Sequence, residues 1–218
     1  EDHPGILGGR DLQAMGTWMA ISKKGRFAAV TNYRDPSNIR SDVKSRGDLP
    51  LNFLTGDQAP KVYGQVLQQS TEDYNGYNLL AFDGAMVHFS NYENRVNELE
   101  PGIHGLSNAL LNTSWPKVRK AKERLKEHIA NDAIQSEYLI EMMQDTALAE
   151  DDQLPETGLS MERERALSPM CIRTSDYGTC CSTFVTVDYE DNVQFMEKSY
   201  PVGLRKDESV FFTFKIEN

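Results

Sequence analysis

Residues 77–92, YNLLAFDGAMVHFSNY, set an Asp83-Gly84 pair between two largely apolar runs. Asp-Gly between such runs is a strong short-range signal for a β-hairpin, because the tight turn needs a left-handed backbone that these residues adopt cheaply. A third run, RVNELEPG, follows, so this part of the chain reads as an antiparallel meander. Upstream, GTWMAIS and RFAAVTNY joined by KKG read as another hairpin. At the other end CCSTFVTVD, VQFMEKSY and SVFFTFKI read as three closing strands, with YEDN as the turn between the first two.

Helical signals fill the gaps. RGDLPLNFLTG reads as a short helix with Asp48 as its cap, Pro50 in the first turn and Gly56 closing it. APKVYGQVLQQS has apolar residues at 62, 63, 66 and 67, which is helical spacing with a glycine penalty at Gly64. The clearest helix spans 116–131: Pro116 stands at its first position, Ser114 is the nearby cap, and Val118, Ala121, Leu125 and Ile129 form its apolar stripe. A second helix is expected over 135–147, and the acidic, turn-rich 148–168 as a mobile loop with a short helix at its end. Strands and helices therefore come in segregated runs. That pattern argues for an α+β layered sheet protein and against alternating parallel βαβ units. There is no repeat and no convincing linker over the 218 residues, so the expectation is a single domain over 1–218.

Composition narrows function mainly by exclusion. A net charge of −10 and a pI near 4.9 leave no basic footprint for nucleic acid and no polybasic membrane anchor. No run approaches the ~18 apolar residues of a spanning helix. EDHPGILGGRDL is neither a signal nor a transit peptide, and three cysteines (Cys171, Cys180, Cys181) make no disulfide framework. The expected compartment is reducing and cytoplasmic. There is no Walker loop, dinucleotide fingerprint or zinc spacing, and the histidines at 3, 88, 104 and 128 read as ordinary strand or surface residues. No cofactor and no metal is expected.

Three stretches carry polar residues that are either turns or a site. In TNYRDP, Asn32 and Arg34 project from a strand end, where an amide can stabilise an oxyanion and a guanidinium can hold a carboxylate or phosphate. The plainer reading is a turn. In LSN, Asn108 is a cap or a site residue, and Ser107 lacks the G-x-S-x-G setting of a nucleophile. In DYGTCCST, Cys180 and Cys181 point to opposite faces of a strand, so at most one faces a site, and nothing nearby lowers a thiol pKa.

Taken in order, GGRDLQAMGTWMAISKKGRFAAVTNYRDP, YNGYNLLAFD, PGIHGLSNALLNTSWPKV and YGTCCSTFVTVDYEDNVQFMEKSY resemble the NRDE family, also called the transport and Golgi organization 2 family. The resemblance runs from about Gly5 to Phe214. It implies a fold similar to the N-terminal nucleophile hydrolases: two packed antiparallel sheets between helical layers, with a mature N-terminal Cys as nucleophile. By analogy with the choloylglycine hydrolases it implies that Asn32 and Asn108 complete an oxyanion hole, with Arg34, Ser107, Thr179 and Cys180 around the substrate.

Two departures accompany it. The family's N-terminal Cys and Asn-Arg-Asp-Glu motif precede the region that matches, so Glu1 aligns past both, and the expectation is a domain lacking that segment, its sheet incomplete. The family's YGTR reads YGTC here, with Cys180 in the arginine position. The resemblance thus implies hydrolysis of a linear C–N amide, with the chain as given inactive. A small-molecule carrier for haem, acyl-CoA or a lipid-like ligand, or a structural remnant, stands as the alternative. A homo-oligomer is left open.

Overall fold

Hairpin chemistry decides the first sheet. The computed structural model describes residues 2–131, 134–201 and 206–217; Glu1, where the sequence reading begins, lies outside them. Strands β1 (Ile6–Gly8), β2 (Met19–Ser22), β3 (Phe27–Asn32), β4 (Tyr77–Asp83), β5 (Ala85–Ser90) and β6 (Arg95–Glu98) lie side by side in chain order, all antiparallel. Gly84 (φ +77°) turns the chain while Asp83 stays paired with Ala85, and Gly25 (φ +77°) closes the β2–β3 turn. β1 escapes sequence reading because three residues are too few to show alternation.

The chain divides into two compact units, one of Glu1–Gly102, Leu106–Thr113 and Ile216–Asn218, the other of Ile103–Gly105 and Ser114–Lys215. In the first, helices α1 (Asp48–Thr55) and α2 (Pro60–Leu67) are inserted between β3 and β4 and pack on the sheet. Strand alternation puts Ala28, Val30, Tyr77, Leu79, Ala81 and Phe89 on the helix-covered face, where they form the core with Leu49, Phe53, Leu54, Tyr63 and Leu67. Arg26 is buried beside it. Its guanidinium pairs with Asp83 at 2.5 Å, donates to the carbonyls of Phe53 (3.0 Å) and Gln58 (2.8 Å), and lies over the Phe53 ring.

Several local expectations are corrected. Asp48 is the first helical residue of α1, after Gly47, and its side chain caps nothing. α2 buries Pro60, Tyr63, Gly64 and Leu67, while Val62 and Val66 face solvent at 46% and 48% exposure. Gly64 is there because the helix sits close to β6: a Cβ would lie 3.1 Å from both Val96 methyls.

The second unit holds α3 (Pro116–Ala130), α4 (Ser136–Met143), α5 (Met161–Ala166) and a three-stranded antiparallel sheet of β7 (Cys181–Val187), β8 (Asn192–Ser199) and β9 (Glu208–Lys215), in that order. α4 packs on α3 and β7 and ends at Met143, short of the expected 147. Trp115, not Ser114, occupies the cap position of α3, and only Val118 of the expected stripe is buried. The acidic 148–168 segment is tied down, not loose: Arg165 forks onto Asp151 at 2.7 Å, Ser168 Oγ accepts from the Ala149 N–H, Thr157 binds Glu164, and α5 closes it. The antiparallel, segregated α+β class is as the sequence reading expects.

One loop before β2 is strained. Met15 adopts φ 64°, a left-handed conformation that costs a side-chain-bearing residue about 1–2 kcal/mol. Met15→Gly is expected to raise stability by on the order of 1 kcal/mol after the extra chain entropy of glycine is offset, read as a higher urea midpoint. An unchanged or lower midpoint would show that the turn stores no such strain.

Candidate functional site

The end of β3 is where distant stretches of the first unit meet. β3 stops at Asn32, opposite Tyr77 of β4, and the chain turns away through Tyr33 and Arg34. Residues 107–109 return to this point and are held by one main-chain bond and by bonds from side chains to main-chain carbonyls. The Asn108 amide donates to the Asn32 carbonyl (3.1 Å), and the Arg34 N–H donates to the Asn108 carbonyl (2.7 Å). Thr31 Oγ1 donates to the Ser107 carbonyl (3.1 Å), and the Asn78 amide donates to the Ala109 carbonyl (2.9 Å).

Behind these bonds lies a polar chain inside the sheet. Asn78 on β4 and His88 on β5 are 0% and 1% exposed, on the face turned away from α1 and α2. Asn78 Oδ1 can only accept, so His88 Nε2, 3.0 Å away, carries the proton and donates. His88 Nδ1 is buried and has no partner among the described residues, so neither a carboxylate nor a carbonyl is there to hold a second proton. Burial pushes its pKa down to about 4. Asn78 Nδ2 also reaches Thr31 Oγ1 at 3.4 Å, which links His88, through Asn78, to the strand that ends in Asn32.

The Asn32 side chain is unlike these. Its amide makes no hydrogen bond among the described residues, and its Oδ1 is buried. Buried amide oxygens in folded proteins nearly always have a donor, so an unspent one invites a functional explanation. Next to it Tyr33 stacks on Tyr92, centroids 3.9 Å apart. Burial, then the bond to Tyr92 and the charges of Tyr92, Asp35 and Glu93, push the Tyr33 hydroxyl up to about 12, so it stays a neutral phenol. Ser107 contributes its carbonyl. No hydrogen bond reaches its hydroxyl among the described residues, so nothing there activates it as a nucleophile.

Thr179 and Cys180 belong to the second unit. The Thr179 N–H donates to the Ile172 carbonyl (2.9 Å), while its hydroxyl accepts from the Ile172 N–H (2.8 Å). Cys180 accepts from the Tyr200 N–H through its carbonyl, and its half-buried thiol points to the Gly178 carbonyl at 3.7 Å. The six candidates therefore fall into two groups: Asn32, Arg34, Ser107 and Asn108 at the end of β3, and Thr179 with Cys180 ahead of β7. Among the described residues no group of three His, Cys, Asp or Glu side chains is placed to hold a metal. A cleft of about 620 Å³ in the first unit, lined by His3, Lys23, Arg26, Thr55, Asp83 and Glu217, lies at the hairpin-turn end of the sheet, the end opposite Asn32.

A family model described as Transport and Golgi organisation 2 matches residues 1–201. The Transport and Golgi organization 2 homolog of Mus musculus is 34% identical over 214 residues, covering 89% of this chain and 76% of its own. The chain belongs to the Transport and Golgi organisation 2 family. The Homo sapiens homolog is likewise 34% identical over 214 residues, and that of Bos taurus 33% over 219, with the same shares covered.

All six candidate residues lie inside the span matched to the Transport and Golgi organisation 2 family, whereas β9 lies beyond it. Among the described residues no helix is long and apolar enough to cross a membrane. Sequence reasoning missed Asn78 and His88. Their signal was there: in YNLLAFD and AMVHFS, polar residues occupy inward positions of strands otherwise rich in apolar side chains, where an unpaired polar group would be costly.

Proposed function

We propose that this chain binds an amide-bearing small molecule at the end of β3, and that the reaction served there is cleavage of a linear C–N amide. The unspent Asn32 amide carries this reading. An asparagine side chain offers one donor end and one acceptor end, so it can bond the amide carbonyl of a ligand and a separate donor on the same ligand. That second donor would satisfy the buried Oδ1. The ligand carbonyl would take the Asn32 amino end and the second N–H of Asn108, the pair of donors an oxyanion needs once a nucleophile adds to the carbonyl carbon. Arg34 and the Tyr33–Tyr92 stack flank the position. Thr179 and Cys180 are proposed as substrate contacts on the strength of the resemblance alone. The nucleophile the resemblance implies is an N-terminal Cys, and binding is the step that the residues at the end of β3 serve. We further propose one functional domain and a cytoplasmic setting, supported by the absence of any disulfide among Cys171, Cys180 and Cys181.

The test is titration of a panel of N-acyl amino acids and N-acyl amines, followed by thermal shift and by mass spectrometry for cleavage. Asn32→Ala is expected to weaken binding by about tenfold or more, from one or two lost hydrogen bonds. It should leave stability nearly unchanged, since its amide holds nothing else in place. Asn108→Ala is expected to cost about 1–2 kcal/mol of stability as well, because it frees the Asn32 carbonyl. A panel with no saturable binder sinks the reading. One observation favours a non-catalytic carrier instead: Asn108 already gives one N–H to the Asn32 carbonyl at 3.1 Å, which leaves it less to offer an oxyanion. Haemin and acyl-CoA titrations address that alternative.

A further inference from the structure

Strand β9 is the most exposed apolar element of the second unit. It reads ESVFFTFK over Glu208–Lys215, and seven of its eight residues are exposed, with Phe211 at 56% and Phe212 at 46%. It pairs with β8 on one side and forms an edge of the β7–β8–β9 sheet on the other. An edge of this length and apolarity is a template for another strand.

Which of its main-chain groups face outward follows from the neighbouring hairpin. The Asp188 N–H donates to the Asn192 carbonyl and the Tyr200 N–H to that of Cys180, so even-numbered residues of β8 direct their bonds to β7. Odd-numbered residues of β8 then bond β9. Their partners are even-numbered, Val193 with Phe214, Phe195 with Phe212 and Glu197 with Val210. The outward N–H and C=O groups of β9 are therefore those of Ser209, Phe211, Thr213 and Lys215.

We propose that the occupant of this edge is β9 of a second copy of the chain, paired antiparallel about a two-fold axis at Phe211. A two-fold must set one residue opposite its own copy, and only residues with outward groups can exchange bonds. Centring on Phe211 pairs Ser209 with Thr213 of the other copy and Phe211 with itself, and it uses the strand from end to end. It sets Phe211 against Phe211 on one face and Val210 against Phe212 on the other, so apolar surface is covered on both. It also matches charge, because the strand runs from the acids Asp207 and Glu208 to Lys215, and antiparallel self-pairing brings Lys215 of each copy opposite Asp207 of its partner. Asp207 is also bound by Lys198 of its own β8. The product is a continuous six-stranded sheet with β7 as its outer strand on each side, and the two-fold leaves no further β9 edge open.

Sedimentation velocity over a wide concentration range, up to hundreds of micromolar, reads the association, and hydrogen exchange reads the strand. A concentration-dependent dimer is expected, with the amides of Ser209, Phe211 and Thr213 protected only in the dimer. Thr213→Pro removes an outward N–H without touching the bonds to β8, so it is expected to give a monomer whose unfolding in dilute solution matches the parent. Lys215→Glu sets like charges opposite each other twice and is expected to weaken the dimer about tenfold. Asp207→Lys combined with Lys215→Glu should recover it, and this pair of variants decides the matter if the proline variant fails to fold. A monomer at every concentration overturns the proposal. So does protection of β9 that does not vary with concentration, which would mean that a different strand covers the edge, and so does a dimer insensitive to both charge variants.

Discussion

Asn78→Leu is expected to cost about 3–5 kcal/mol, although leucine is close in size and β4 around it is apolar. The side chain removed is the hub of the buried polar chain. Without it the Ala109 carbonyl, the Thr31 hydroxyl and the His88 Nε2–H lose a partner at once. Each buried group left unmade costs about 1–3 kcal/mol, and the gain from a more apolar side chain does not offset three of them. The effect should also be local before it is global. Residues 107–109 hang on such bonds, so the Arg34 amide, which donates to Asn108, should exchange much faster in the variant than amides in the middle of the β3–β4 ladder. Urea unfolding with amide exchange on both proteins checks this. A loss under 1 kcal/mol, or equal acceleration everywhere, would mean that the polar chain does not position Asn108.

The second large effect is on pH. His88 is buried and neutral, with a folded-state pKa of about 4 against about 6.5 in an unfolded chain. Because the folded value is the lower one, the unfolded state takes up the proton first as pH falls. Stability is full above pH 6.5 and is lost between about 6.5 and 4, by about 3 kcal/mol in all. Carboxylates that hold native contacts lose theirs lower on the scale. Asp145 is an example: burial would raise its carboxyl, but the bond to Lys120, the Ala147 N–H and the charges of Lys120 and Arg124 outweigh that and hold it below the usual range. Unfolding free energies at pH 7, 5.5 and 4.5 should trace the loss. His88→Gln, which keeps a donor toward Asn78, should flatten it, and a variant as acid-sensitive as the parent would place the cause elsewhere.

Much of the fold was legible, for identifiable reasons. Asp83-Gly84 and KKG are turn chemistry, Pro60 and Pro116 mark helix starts, and alternation marks the longer strands. What was not legible depends on contacts far apart in sequence. The spacing of Val62 and Val66 is helical, but only the nearness of β6 decides that Gly64 faces inward. The 148–168 segment looks mobile by composition, yet Arg165, Ser168 and Glu164 fasten it. The same holds at the candidate site. Asn32 and Asn108 stood out through the family resemblance, and their meeting depends on Thr31, Arg34 and Asn78, which no short motif connects. His88 reads as ordinary because nothing in its immediate neighbours reveals Asn78, its partner among the described residues, across the strand pair.

The first unit takes residues from both sides of the second. The Glu217 N–H donates to the Lys23 carbonyl at 2.8 Å, Lys23 pairs with Glu217, and the Ile216 side chain lies where a Cβ on Gly25 would clash. On a ribosome, the β2–β3 hairpin emerges before the second unit, and its contacts with Ile216 and Glu217 only after it. Domains generally fold as units while synthesis proceeds from the N-terminus, but this one has to hold a nearly finished sheet while the whole second unit is made. The Gly25 turn therefore stays uncovered by Ile216 until residues 114–215 have been made.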